Sequence, residues 1–125
     1  MATILVVDDE KPVRQFLVAA FEQEGHQVLE AYHGRHALNV LAGSSVHPDL
    51  VLSDIMMPIV GGVELCGILK ADPSTADIPV ILMSAAHSRA SAISSADAVI
   101  AKPFDLDTLD ALIERLLGPR TRRPA

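Results

Sequence analysis

The sequence has no tryptophan, one tyrosine, three phenylalanines and a single cysteine in 125 residues. So few rings leave no platform on which single-strand nucleic-acid binders stack successive bases. One cysteine, Cys66, excludes an internal disulfide and a thiolate metal cluster, and this usage fits a reducing compartment. Positive charge is also short, with ten Lys and Arg against sixteen Asp and Glu for a net charge of −6. That balance argues against a role on nucleic-acid phosphates or anionic membranes. No apolar run approaches the roughly 20 residues of a membrane-spanning helix. The start MATILVVDDE turns acidic where a signal peptide needs a basic start, an apolar stretch and a small-residue cleavage site. The expectation is a cytoplasmic protein with neither nucleic acid nor membrane as partner.

What is present is a foldable core. Half of the residues are apolar and 21% are charged, which suits one ordered domain and leaves little room for a separate output module. Ile4 to Val7 is a wholly apolar, β-branched run without alternation, the pattern of a strand covered on both faces. Pro12 suits the first turn of a helix in which Val13, Phe16, Leu17, Ala20 and Phe21 repeat at helical spacing until Gly25. Further strands read at Val28 to Ala31, Leu50 to Ser53, Val80 to Met83 and Val99 to Ala101. Helices read at Gly34 to Leu41 and Val63 to Ala71, and a last one is capped by Asp105 and carries Leu109, Leu112, Ile113 and Leu116. Strands alternating with helices imply βαβ crossovers, hence a parallel sheet with helices on both faces.

Sheets of this kind carry their sites beyond the carboxyl ends of the strands. Those ends here hold Asp8 and Asp9, then Asp54, then Ser84, then Lys102. Carboxylates converging on one edge repel, and their proximity demands raised pKa values or a bound cation. An all-oxygen set without His or Cys suits Mg²⁺, which pairs one or two carboxylates with a phosphoryl group. Lys102 adds a compact positive charge and Ser84 a hydroxyl donor. Together these groups suit transfer of a phosphoryl group to a carboxylate.

The segments VVDDE, DIMMPIVGG, MSAA and AKPF stand in this order at four strand ends, and through them the chain resembles the receiver domains of two-component response regulators over nearly its whole length. The resemblance implies a flavodoxin-like three-layer α/β sandwich, a doubly wound five-stranded parallel sheet in the order 2-1-3-4-5. It implies Asp54 as phosphoacceptor from a phosphohistidine, with Asp8, Asp9, Asp54 and the Met56 carbonyl holding Mg²⁺. Lys102 would pair with the phosphoryl oxygen, Ser84 would be the switch hydroxyl, and the Lys102–Pro103 bond would be cis. The domain would span residues 1–118, followed by a basic, Pro-containing tail over 119–125. The expected function is that of a stand-alone response regulator, a monomer or weak dimer. It would be phosphorylated by a histidine kinase or phosphotransfer protein and act through an unknown downstream protein. The kinase would dock on the first helix and the loop after Lys102, with Val13, Phe16 and Leu17 in the core and Arg14 and Gln15 exposed.

Several positions depart from the family pattern. Val99 stands where a switching Tyr or Phe is common, and Gly61 stands in place of Asp or Asn. The stretch from Ser84 to Lys102 is about four residues short, one helical turn, and its Ser-rich run HSRASAISSADA suggests a short or disordered helix between the fourth and fifth strands. Met56 and Ala86, two residues beyond Asp54 and Ser84, cannot orient water through side-chain hydrogen bonds, which implies slow self-dephosphorylation. A phosphorelay intermediate is an alternative reading. A turnover phosphatase would need a second acid two positions beyond its nucleophile, and a flavin or nucleotide binder a Gly-rich phosphate loop where this chain has DDEKP. His33 and His36 share a helical face but lack a third metal ligand.

Overall fold

Strand β1 (Thr3–Val7) leads into helix α1 (Lys11–Gln23), then β2 (Gln27–Ala31), α2 (Gly34–Gly43), β3 (Leu50–Asp54), α3 (Gly62–Ala71), β4 (Val80–Ser84), β5 (Ala98–Ala101) and α4 (Leu106–Arg122). The computed structural model describes residues 2–43, 47–85 and 96–122. The expected short or disordered helix between β4 and β5, and Ala86 with it, lie outside the described residues. The five strands form one parallel sheet in the order β2-β1-β3-β4-β5, as the resemblance implied.

Alternation along each strand divides the apolar side chains between two layers. Ile4, Val6, Leu50, Leu52, Ile81 and Met83 pack with Leu17 and Phe21 of α1 and Leu109, Ile113 and Leu117 of α4. Leu5, Val7, Val51, Val80 and Leu82 face the other way, onto Ala37 of α2 and Leu65, Cys66 and Leu69 of α3. Strands β3 and β4 are buried at every position, which is why they read as unbroken apolar runs. Cys66 is fully buried, and Val99 packs half-buried against the α2–α3 layer.

Helix ends follow local chemistry. Asp105 accepts from the Thr108 N–H at 2.7 Å to cap α4, and this bond holds its carboxyl below the usual range. Gly25 turns the chain after α1 at φ +93, a conformation that side-chain-bearing residues resist. His33 Nδ1 accepts from the His36 N–H at 3.1 Å, and His36 Nδ1 accepts from the Tyr32 N–H at 3.0 Å. These imidazoles thus serve the start of α2.

Helix α1 corrects two expectations. Its buried stripe is Arg14, Leu17 and Phe21, the i, i+3, i+7 line of one helical face. Phe16 falls off that line and is 56% exposed, although it was expected in the core. Arg14 lies on the line and is only 7% exposed, although it was expected on the surface. The apolar count favoured Phe16, and the geometry of a 3.6-residue turn favoured Arg14.

Candidate functional site

Parallel β1 and β3 end side by side, with Val7 opposite Ser53, so Asp8 and Asp54 emerge at the same edge. Asp8 is fully buried and Asp54 nearly so. The Asp8 Oδ1 accepts from the Glu10 N–H at 2.9 Å, which folds the acidic run back on itself. The Ser53 hydroxyl donates to the Asp54 carbonyl at 3.0 Å. On the far side of the sheet, the Lys102 N–H donates to the Ser84 carbonyl at 2.8 Å, and the Lys102–Pro103 peptide is cis.

Lys102 brings the ends together. Its Nζ lies 3.2 Å from Asp8 Oδ2, 3.5 Å from Asp54 Oδ1 and 3.7 Å from Glu10 Oε1. Burial works against its charge, but Asp54, Asp8 and Glu10 outweigh that penalty and hold its pKa above the ordinary lysine value. Burial pushes the Asp54 carboxyl up; Lys102 opposes this, and the negative charges of Asp8 and Asp9 add to it. A cavity of about 270 Å³ opens here, lined by Asp9, Glu10, Asp54, Met56, Ala85 and Lys102. Met56 is exposed, whereas Ser84 is buried at the end of β4, next to the lining residue Ala85.

Carboxylate oxygens of Asp8, Glu10 and Asp54 all lie within 4.8 Å of one another. Glu10 therefore joins a group for which only Asp8, Asp9 and Asp54 were expected, while Asp9 is exposed and lines the cavity from its rim. The signal for Glu10 was the unbroken run of three acids before a helix start, where negative charge is favourable. Among the described residues the donor set is oxygen throughout, with no His or Cys, which fits Mg²⁺ better than zinc or copper. Among the described residues three acids meet one lysine here, which leaves room for a second positive charge.

The loop after Asp54 carries strain. Ile59 sits at φ +69 and is 72% exposed, a conformation costly for a β-branched side chain. Gly62 is packed so closely that a Cβ would meet the Asp54 carbonyl oxygen at 2.2 Å, and only glycine permits this return toward β3. Gly61 offers no side-chain cap to α3.

A doubly wound parallel sheet with an acidic, lysine-bridged pocket at its carboxyl edge defines the class: a flavodoxin-like α/β domain whose charged groups gather where the strands end. The family model for the response regulator receiver domain matches residues 4–114, and the chain belongs to that family. It is 39% identical over 119 residues to the phosphate regulon transcriptional regulatory protein PhoB of Pseudomonas aeruginosa, covering 92% of this chain and 51% of that protein. The signal receiver domain of a signal transduction histidine kinase from Syntrophus aciditrophicus superposes with a TM-score of 0.87 at 32% identity, covering 100% of this chain and 96% of that one. The response regulator TrrA of Thermotoga maritima, solved in complex with Mg(2+)-BeF, gives a TM-score of 0.83 at 34% identity, covering 94% of this chain and 100% of that one. The chain spans about half the length, or less, of the first curated relatives it matches. Among the described residues no helix is long and apolar enough to cross a membrane.

Proposed function

We propose that Asp54 accepts a phosphoryl group from the phosphohistidine of a histidine kinase or phosphotransfer protein, and that the signal leaves through protein contacts. The observation that carries this reading is the Lys102 ammonium set among Asp8, Glu10 and Asp54 at the mouth of a cavity. An Asp54 carboxylate oxygen forms the new O–P bond, the P–N bond breaks, and the imidazole departs with its electron pair and takes up a proton. Asp8, Asp9, Asp54 and the Met56 carbonyl would hold Mg²⁺, with Glu10 beside them. The ion supplies positive charge to the oxygens around phosphorus. Lys102, already within reach of Asp54, turns to a phosphoryl oxygen, and the Ser84 hydroxyl donates to another. No turnover of a free substrate is involved.

The donor's approach has a surface to match. Beside the acidic pocket lies an apolar groove of about 470 Å³, lined by Pro12, Val13, Phe16, Leu17, Lys102, Pro103 and Phe104. Exposed Phe16 and Gln15, and not the buried Arg14, would meet the kinase or phosphotransfer protein there. Likeness to the receiver domain of a histidine kinase supports a second reading, a relay that passes the phosphoryl group onward to another histidine. Incubation with a phosphorylated kinase and Mg²⁺ should label the wild type stoichiometrically and leave Asp54→Asn unlabelled. Equal labelling of both would end the proposal, and transfer from the labelled chain to a phosphotransfer protein would select the relay.

A further inference from the structure

The acids of the pocket sit on the short loop between β1 and α1, and a cation outside the cavity grips the backbone of that loop. Among the described residues Arg14 is the one buried basic side chain. Its Nη1 donates to the Asp8 carbonyl at 2.7 Å, and its Nε donates to Glu30 Oε1 on β2 at 3.2 Å. Its guanidinium lies 5.0 Å from the centre of the Tyr32 ring, and Tyr32 in turn stacks on His36 at 4.1 Å. The guanidinium is thus held by the Asp8 carbonyl after β1, by Glu30 on β2 and by Tyr32 in the turn before α2.

We propose that Arg14 is a positioning residue for the divalent-cation pocket: its clamp on the Asp8 carbonyl sets the direction in which Asp8, Asp9 and Glu10 present their carboxylates. This rests on the reading of that pocket as a Mg²⁺ site. The clamped carbonyl belongs to the peptide joining Asp8 to Asp9, so its plane governs where the chain carries Asp9 and Glu10. The other polar groups of Asp8 are also engaged: its N–H with the Ala31 carbonyl at 3.2 Å, Oδ1 with the Glu10 N–H, and Oδ2 with Lys102. Of these, the Lys102 contact is the one an incoming cation would replace. The bond from Arg14 stays behind the carboxylate and keeps it aimed. A lysine can substitute only in part, because only the planar fork reaches Glu30 and the carbonyl from one rigid group while lying against a ring.

Calorimetric titration of MgCl₂ into the full chain tests this without any phosphotransfer readout. Arg14→Met, which keeps the packing volume, should bind Mg²⁺ roughly tenfold more weakly than the wild type, and the milder Arg14→Lys should fall between them. Ile113→Ala, a core change in α4 remote from the pocket, should lower the melting temperature and leave Mg²⁺ affinity unchanged. Wild-type affinity in the folded Arg14 variants would overturn the proposal, as would an equal loss in Ile113→Ala. Absence of Mg²⁺ binding by the wild type itself would instead remove the pocket reading on which the proposal rests, and the proposal with it.

Discussion

Helix α1 carries an acidic cluster at each end, and the two resolve the same repulsion in opposite ways. At its N-terminal end Asp8, Glu10 and Asp54 share the Lys102 ammonium, and the helix end itself favours negative charge. At its C-terminal end Glu24 faces Asp110 and Asp107, and among the described residues no lysine or arginine is one of the groups acting on it. There the Glu24 carboxyl is pushed up to about 7 by a side-chain hydrogen bond with Asp110, by burial, and by the charges of Asp110 and Asp107. His26 nearby is held below its ordinary value by burial, with Asp110 opposing the shift. One cluster thus surrounds a resident ammonium whose pKa it raises, while in the other Glu24 holds its proton up to about pH 7. A resident cation can be exchanged for a second cation or turned toward an arriving anion, and this separates a binding site from an acidic patch.

Removing Lys102 should erase the difference between the two clusters most visibly. Lys102→Met should abolish most phosphotransfer while tightening Mg²⁺ binding by about 1 kcal/mol, roughly fivefold, because the competing ammonium is gone. Parallel loss of both, measured by labelling and calorimetry, would mean that the lysine holds the pocket open and does not compete for it. The loop beyond Asp54 also carries backbone strain, and among the described residues Ile59 is the one non-glycine at positive φ. Ile59→Asn should raise unfolding stability by about 1 kcal/mol in a denaturant titration, since asparagine tolerates the left-handed region better and an exposed isoleucine loses little burial. The smallest effect belongs to the distal cluster. The folded chain binds its extra proton at Glu24 between pH 4.5 and about 7. The stabilising contribution is therefore complete below 4.5 and lost as the pH rises through 7. Glu24→Gln should match the wild type at pH 4.5 and exceed it by about 0.5 kcal/mol at pH 8, an amount limited by solvent screening at this exposed site.

Strand ends were legible in the sequence because burial on both faces leaves an unbroken apolar run with one abrupt polar stop, as in LVLSD and VILMS. Asp8, Asp54, Ser84 and Lys102 were picked out by that stop. Glu10 was less visible, because its place in the cluster depends on a turn that bonds its own N–H to Asp8. Arg14 was misread because an arginine at a buried helical position looks like a surface residue until its partners on β2 are known. Phe16 was misread for the converse reason: an apolar side chain one step off the buried stripe still counts toward the helical pattern. The distal pair of Glu24 and Asp110 could not be seen at all, since 86 residues separate two acids that meet only when α1 and α4 pack on the same face.

On the proposed function Asp54 itself bears the phosphoryl group. Borohydride reduction of the labelled chain converts an aspartyl phosphate to homoserine, which peptide mass spectrometry assigns to a position. Homoserine at position 54, formed only when Mg²⁺ was present during labelling, is the expected result. Homoserine at Asp8 or Asp9, or labelling that persists without any reducible aspartate, would contradict it.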